Sequence, residues 1–326
     1  MPKKDKLAPL ETPEDGEDKL TTKTMLLIIN PAAGQGSFIP YFFEVVDRFT
    51  KGGFQVTAHP TAGPQEAYQV TLARASAYDY LVCTGGDGTL NEVVNALMQL
   101  EKRPLLGYIP SGSTNDFAAT HGLISDPVLA AQSLMDGQVK AIDIGRFGGG
   151  YFTYVAAFGL FADVSYDTPQ NMKNMLGQAA YFLEGVKKLG SIRHQHCRIE
   201  LEDEVIEDDF ILGMISNSRS VGGFHLPDEV NACLDDGLLE LVLLKRIQSM
   251  EQLGNVISAM LGGKGILDPS FVLRNVKRAR ITSPEPLGWS VDGEFGGNLQ
   301  TAEVAVCEQA LEIIVPKPRG KRQKKA

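Results

Sequence analysis

The chain has 326 residues, enough for two domains of ordinary size with a substantial core. Its 43% hydrophobic and 22% charged residues are the balance of a soluble globular protein, and a formal net charge of −9 argues against a nucleic-acid binder that works by general electrostatic attraction. The four cysteines, Cys83, Cys197, Cys233 and Cys307, follow no CxxC or zinc-ligand spacing, which fits a reducing cytosol.

Residues 1–22 are charged, proline-containing and without an apolar centre, so they read as a disordered tail and not a secretory signal. From Thr24 the pattern alternates between strands and helices. TMLLIIN, FQVTAH, YDYLVC and PLLGYIP predict strands. FIPYFFEVVDRFT and PQEAYQVTLARASA predict helices, as does the run from Leu90, where Leu90, Val93, Val94 and Leu97 recur at helical spacing. A helix over about 127–136 closes the block. This alternation implies βαβ units and a mostly parallel sheet, a Rossmann-like three-layer α/β domain over 23–148.

Beyond about residue 140 the character changes. AIDIGRFGGGYFTYVAAFG predicts two strands joined at Gly148–Gly150. After an amphipathic helix over about 172–189 come the strand-like runs HCRIEL, DDFILGMISN, LLELVLLK, FVLRNVKRARIT, AEVAVC and ALEIIVP, which predict a β-sandwich over 149–316. The final strand is free to return toward the first domain. The longest apolar stretch, YFTYVAAFGLFADV, is too short for a spanning helix. Residues 317–326 form a basic, disordered tail that either meets anionic lipid or only solubilises the end.

Three strand ends carry small, glycine-bearing loops, and parallel strands bring such ends together. GGDGT (85–89) joins strand to helix; glycine amides and a helix N-terminus there favour an anion such as phosphate. Asp87 suits that place if Mg²⁺ intervenes, and is otherwise a helix-capping aspartate in a tight turn. The spacing fits neither a P-loop nor GxGxxG. NPAAGQG (30–36) and IPSGSTNDFA (109–118) are the other two loops; Ser111, Ser113 and Thr114 supply hydroxyls and Gly112 close backbone access. The five histidines form no ligand cluster and read as solvated or structural.

In this order and spacing, NPAAG, GGDGTLNEVVNAL and PSGSTNDFA resemble the catalytic domain shared by diacylglycerol kinases, sphingosine kinases and bacterial lipid kinases. SNSRSVGGFHLPDEVNACLDDGLLEL (216–241) and VDGE (291–294) extend the similarity over about residues 24–316. The resemblance implies an ATP-dependent lipid kinase that transfers the γ-phosphate to the hydroxyl of a lipid such as diacylglycerol, in phospholipid metabolism. It assigns ATP contacts to Asn30, Pro31, Ala32, Ala33, Gly34, Thr61, Gly85, Gly86, Asp87, Gly88, Thr89, Leu90, Asn91 and Ser113. Glu294 matches the proton acceptor, with Asp87 and Asp292 as further catalytic residues. The Asp236 side chain and the carbonyls of Cys233 and Leu238 match a structural Mg²⁺ site, and Asp87 and Asp116 an acidic network around the nucleotide-bound metal. Ser113 stands where many relatives have threonine and keeps the hydroxyl.

The residues agree with this chemistry, since phosphoryl transfer needs phosphates held, their charge offset and the attacking alcohol deprotonated. There is no P-loop lysine, so glycine-loop amides and Mg²⁺ carry the neutralisation. Taken without the family, VDGE reads as a hairpin turn and DDG as a turn as readily as a metal loop. The implied setting is cytoplasmic, with peripheral association at the inner face of the membrane, a lipid substrate at its surface, no nucleic acid, and a homodimer left open. The alternatives are an NAD kinase-like phosphotransferase, which shares GGDGT, and a non-catalytic nucleotide- or lipid-binding relative.

Overall fold

Alternating apolar residues on a strand face opposite sides of a sheet, so a strand that is apolar throughout needs cover on both faces. Strand β1 (Lys23–Ile29) shows this: Leu26 and Ile28 enter one core, while Met25, Leu27 and Ile29 enter another. The computed structural model describes residues 22–159, 193–218, 220–221, 224–225, 233–249, 251–252, 254–256 and 269–318. β1 pairs in parallel with β2 (Phe54–Pro60) and β3 (Tyr80–Gly85), and β3 pairs in parallel with β4 (Leu105–Pro110). Helices α2 (Glu66–Arg74) and α3 (Asp87–Leu97) cover one face, through Ala67, Leu90, Val93, Val94 and Leu97. Helices α1 (Phe42–Lys51) and α5 (Pro127–Asp136) cover the other, through Val45, Phe49, Ala130, Ala131 and Leu134. These are the predicted strands and helices of a three-layer α/β domain.

Two details differ. α3 begins at Asp87, three residues before its apolar stripe, so Asp87 lies in the first helical turn. The short α4 (Asp116–His121) was not expected, because six residues are too few to show an apolar period.

The second half is built from β5 (Gln138–Phe147), β6 (Gly150–Phe152), β7 (Val155–Gly159), β8 (Gln195–Glu200), β9 (Val205–Ser216), the short pair β10 (Ser220–Val221) and β11 (Phe224–His225), β12 (Leu239–Lys245), β13 (Phe271–Val276), β14 (Arg278–Val291) and β15 (Glu294–Val315). The hairpin expected at Gly148–Gly150 is present, with Phe147 opposite Gly150. FVLRNVKRARIT is two strands and not one, broken at Lys277, whose carbonyl accepts from Val306 N (2.8 Å). AEVAVC and ALEIIVP are parts of one strand; the gap between them is a register shift between Cys307 and Leu311, with Gln309 at φ 46°. The helix expected over 172–189 lies outside the described residues, and so do nearly all of both tails.

Two long strands bend to close the sandwich. β9 pairs with β8 over Val205–Phe210 and with β7 over Leu212–Ser216. β14 pairs with β8 over Arg280–Thr282 and with β7 over Trp289–Val291, its register broken between Thr282 and Leu287. They wrap a core in which the Trp289 ring lies 4.8 Å from Phe147 and 5.0 Å from Phe158, centroid to centroid. β15 runs on past this core, pairs with β5, and lies parallel to β4 at Ile313 opposite Leu106. Strands of both halves therefore belong to one continuous sheet, and the final strand does return. Among the described residues no helix is long and apolar enough to cross a membrane.

Candidate active site

The three glycine-bearing loops meet at the C-terminal ends of β1, β3 and β4. A Cβ on Gly34, which sits at φ +54°, would lie 2.1 Å from the Ser111 carbonyl oxygen. One on Gly112 would lie 2.5 Å from the Cα of Gly86. Backbone touches backbone at both places, and only glycine fits. Ser37 Oγ donates to the Ser111 carbonyl (3.1 Å), and Asn30 Nδ2 donates to Thr89 Oγ1 (2.8 Å). Asn115, at φ 56°, closes the SGSTN loop: its Oδ1 accepts from Gly112 N (2.9 Å) and its Nδ2 donates to Gly112 O (2.8 Å).

The helix N-cap of α3 is Gly86, and no side chain caps it. The first amides of α3 are thus open to an anion, reinforced by the helix dipole. Ala32, Ser113 and Thr114 are exposed beside them, and Pro31, Ala33, Gly34 and Gly88 are half-buried. Other residues of the expected ATP set serve the framework. The Leu90 side chain lies in the core and its amide bonds Gly86 O (3.1 Å). The buried Thr61 hydroxyl donates to Ile29 O (3.3 Å), and Gly85 is packed against Thr89.

Asp87 caps a helix, though not its own. Its carboxylate accepts from Asp116 N (3.1 Å) and Phe117 N (3.3 Å) at the start of α4. Burial and the nearby Asp116 carboxylate push Asp87 up to about 6. Two carboxylates held this close favour a cation between or beside them.

The opposite wall is the β14–β15 hairpin. Val291 pairs with Glu294 across a two-residue turn in which Asp292 and Gly293 have φ 47° and 82°. VDGE is thus a hairpin turn, and the turn faces the cleft. Asp292 is buried and accepts five hydrogen bonds. Oδ2 takes Thr153 N (2.6 Å), Thr153 Oγ1 (2.8 Å) and Asn91 Nδ2 (2.8 Å), and Oδ1 takes Tyr154 N and Val155 N (both 3.0 Å). Burial pushes this carboxyl up and the donors around it oppose that. Asn91 also donates to Tyr151 O (3.1 Å), and Asn95 exchanges bonds with Tyr151 N and O (both 2.9 Å). Thr153, Asn95 and Tyr151 were not anticipated. Asparagines four apart on one side of a largely apolar helix were the available signal.

Glu294 itself is exposed, and its Oε1 lies 3.7 Å from where a Cβ on Gly88 would sit. The carboxylate expected from the second half and the loop expected from the first therefore face each other.

The Cys233–Leu238 turn lies elsewhere. Asp236 is exposed and accepts from Leu238 N (3.1 Å). Buried Asp143 fastens the turn by accepting from Gly237 N (2.7 Å), and its amide donates to Leu234 O (3.0 Å). Lys140 pairs with Asp235 (3.2 Å). Among the described residues no three His, Cys, Asp or Glu side chains are grouped to hold a metal, so a cation here would use carbonyls beside Asp236, an oxygen set that suits Mg²⁺. Glu240, just beyond, is buried and pushed up to about 8, chiefly by that burial. His194 and His196 form surface ion pairs with Asp209 (3.7 and 3.0 Å).

Residues 24–147 match the diacylglycerol kinase catalytic domain, and residues 155–315 match the YegS C-terminal NAD kinase beta sandwich-like domain. A diacylglycerol kinase of Bacillus subtilis is 33% identical over 304 residues, covering 92% of this chain and 99% of that one. One of Staphylococcus carnosus is 33% identical over 301 residues, covering 90% and 96%. The crystal structure of a diacylglycerol kinase from Bacillus anthracis superposes with a TM-score of 0.72 over 92% of this chain and 99% of that one; at 24% identity this is a likeness of fold.

Proposed function

Because this chain belongs to the diacylglycerol kinase catalytic-domain family and is an ATP-dependent lipid kinase, we propose that it phosphorylates the free hydroxyl of a diacylglycerol-like lipid at a membrane surface. ATP binds the 23–148 domain and the lipid approaches from the 149–316 domain. The observation that carries this reading is the position of Glu294, whose carboxylate faces Gly88 at the uncapped start of α3. Similarity to diacylglycerol kinases along nearly the whole chain favours it over the NAD kinase alternative.

In this reading the amides of the α3 N-terminus, with the exposed Ser113 and Thr114 beside them, hold the phosphates. When bound, Mg²⁺ supplies the charge neutralisation that a lysine gives elsewhere; Asp87 and Asp116 are the groups that would hold it. Glu294 takes the lipid hydroxyl proton on its carboxylate as the γ-phosphate transfers. Asp292, expected to act in catalysis, becomes a positioning residue, since its five hydrogen bonds leave it no substrate-facing lone pair with good geometry. Membrane contact is peripheral and helped by the basic residues 317–326.

The test is γ-labelled ATP with Mg²⁺, full-length protein and a panel of diacylglycerol, phosphatidylglycerol, a sphingoid base and a polyprenol. Label in diacylglycerol above all others is expected. Label in the sphingoid base or polyprenol, with none in either glycerolipid, would overturn the substrate reading.

A further inference from the structure

Buried oxygen atoms that lack a donor are scarce in folded proteins, and this structure gathers several beside the Cys233–Leu238 turn. Both carboxylate oxygens of Glu240, together with Ser216 Oγ and Asn217 Oδ1, are buried without a hydrogen-bond partner. Glu240 is 1% exposed on β12, and Ser216 stands directly opposite it on β9. Asn217, next to Ser216, donates its Nδ2 to the carbonyl of Asp143, the residue that fastens the turn, so the orphaned oxygens lie beside it. Among the described residues no cation is paired with Glu240; the neighbouring Lys140 is committed to Asp235 at 3.2 Å.

What the cluster lacks is a partner for its orphaned oxygens and, among the described residues, a cation beside Asp236. Three carboxylates, Asp235, Asp236 and Glu240, crowd one turn and its strand, and a single lysine pairs with one of them. Water could donate to an orphan oxygen but would not offset the charge of Asp236, which no cation pairs among the described residues. A hard divalent cation answers both needs, because carboxylate, carbonyl and hydroxyl oxygens are its preferred ligands.

We propose that Glu240 is a further ligand, direct or through one water, of a divalent cation held at the Cys233–Leu238 turn, with Ser216 Oγ beside it. The proposal rests on reading that turn as a Mg²⁺ site. It adds a buried ligand on β12, so the ion would fasten the turn to the sandwich sheet through β12 and β9.

Thermal melting of the full chain without nucleotide, in chelator and across a Mg²⁺ titration, separates the two ideas; Mn²⁺ binding followed by electron paramagnetic resonance gives a direct count. Wild type should melt higher with Mg²⁺ and bind one Mn²⁺ at this turn. Asp236→Ala should lose both responses. Glu240→Gln, which keeps shape, should melt no lower than wild type in chelator yet need about tenfold more Mg²⁺ for the same rise, the scale seen for groups that support a metal's ligands. Glu240→Asp should fall between them. If Glu240→Gln titrates like wild type while Asp236→Ala does not respond, the ion is there without Glu240 and the proposal fails alone. If wild type itself neither binds Mn²⁺ nor gains stability, the reading of the turn fails and takes the proposal with it.

Discussion

On the parallel-sheet side of the cleft, Gly34 meets the Ser111 carbonyl and Gly112 meets Gly86 with no room for a side chain between them. On the hairpin side, one buried carboxylate, Asp292, draws in donors from Thr153, Tyr154, Val155 and Asn91. The first wall is shaped by what its residues lack, the second by what one residue collects. A wall of missing side chains leaves the uncapped amides of α3 open to a ligand. A wall of satisfied side chains leaves nothing free, and so can hold a neighbouring group, Glu294, in a fixed place. In the proposed reading, binding and positioning fall on different sides of one cleft.

The sharpest way to break this division is Glu294→Gln. A general base of ordinary strength sets the loss in kcat at roughly 10²–10⁴-fold, about 3–5 kcal/mol of transition-state stabilisation. The dissociation constant for ATP should stay within a few-fold of wild type. A Gln variant with near-normal kcat would move the base role away from this residue.

Asp292→Asn should act mainly on folding. An amide in place of the carboxylate turns an NH₂ toward existing donors, and unsatisfied buried groups cost on the order of 1–3 kcal/mol each. A loss of about 3 kcal/mol in stability by denaturant melts is expected, with kcat falling alongside. If Asp292→Asn were inactive yet as stable as wild type, Asp292 would be chemical and the comparison would collapse.

Gly34→Ala probes the other wall. The added methyl must displace the Ser111 carbonyl, at a positive φ besides, for roughly 1–3 kcal/mol. The expected signature is weaker ATP binding, with kcat at saturating ATP changed much less. Equal damage to both parameters would mean that this loop also aligns the reacting groups.

The smallest effect serves as a control away from both walls. Asp209, then Glu207, raise the exposed His196 on β8 above its ordinary value. The stabilisation is therefore full below pH about 6.5 and is lost as pH rises through the raised value. Comparing His196→Asn with wild type, the difference in Tm should shrink between pH 6 and 8, without any change in ATP affinity. A difference that grows with pH would reverse the assigned sign.

The same contrast explains what could be read in advance. The alternation of β1 to β4 with their helices was legible because each element carries its own period, and α5 fell where Asp126 and Pro127 announce it. The glycine loops were legible because a glycine before a helix has few other uses. The surroundings of Asp292 and Glu240 were not, since both depend on residues far away: Asn91 lies 201 positions from Asp292. The resemblance to lipid kinases, and not spacing, pointed to Glu294 and Asp236. Within GGDGTLN, the resemblance put Leu90 among the ATP contacts, while its place in the apolar stripe with Val93, Val94 and Leu97 pointed to the core where its side chain lies. Pattern alone could not show β15 to be one strand, because the bulge at Gln309 looks like an ending.

Strand β15 also sets an order of assembly. It begins at Glu294 in the cleft and ends with Leu311, Ile313 and Val315 inside a hydrophobic core of the parallel-sheet half. A ribosome must therefore release Val315 before the parallel-sheet half can close its core, and until then the edge of β4 lacks its partner at Leu106. Such long-range pairing slows folding and leaves an apolar edge open while the chain waits. An isolated 23–148 fragment should inherit that edge permanently and self-associate, whatever its affinity for ATP.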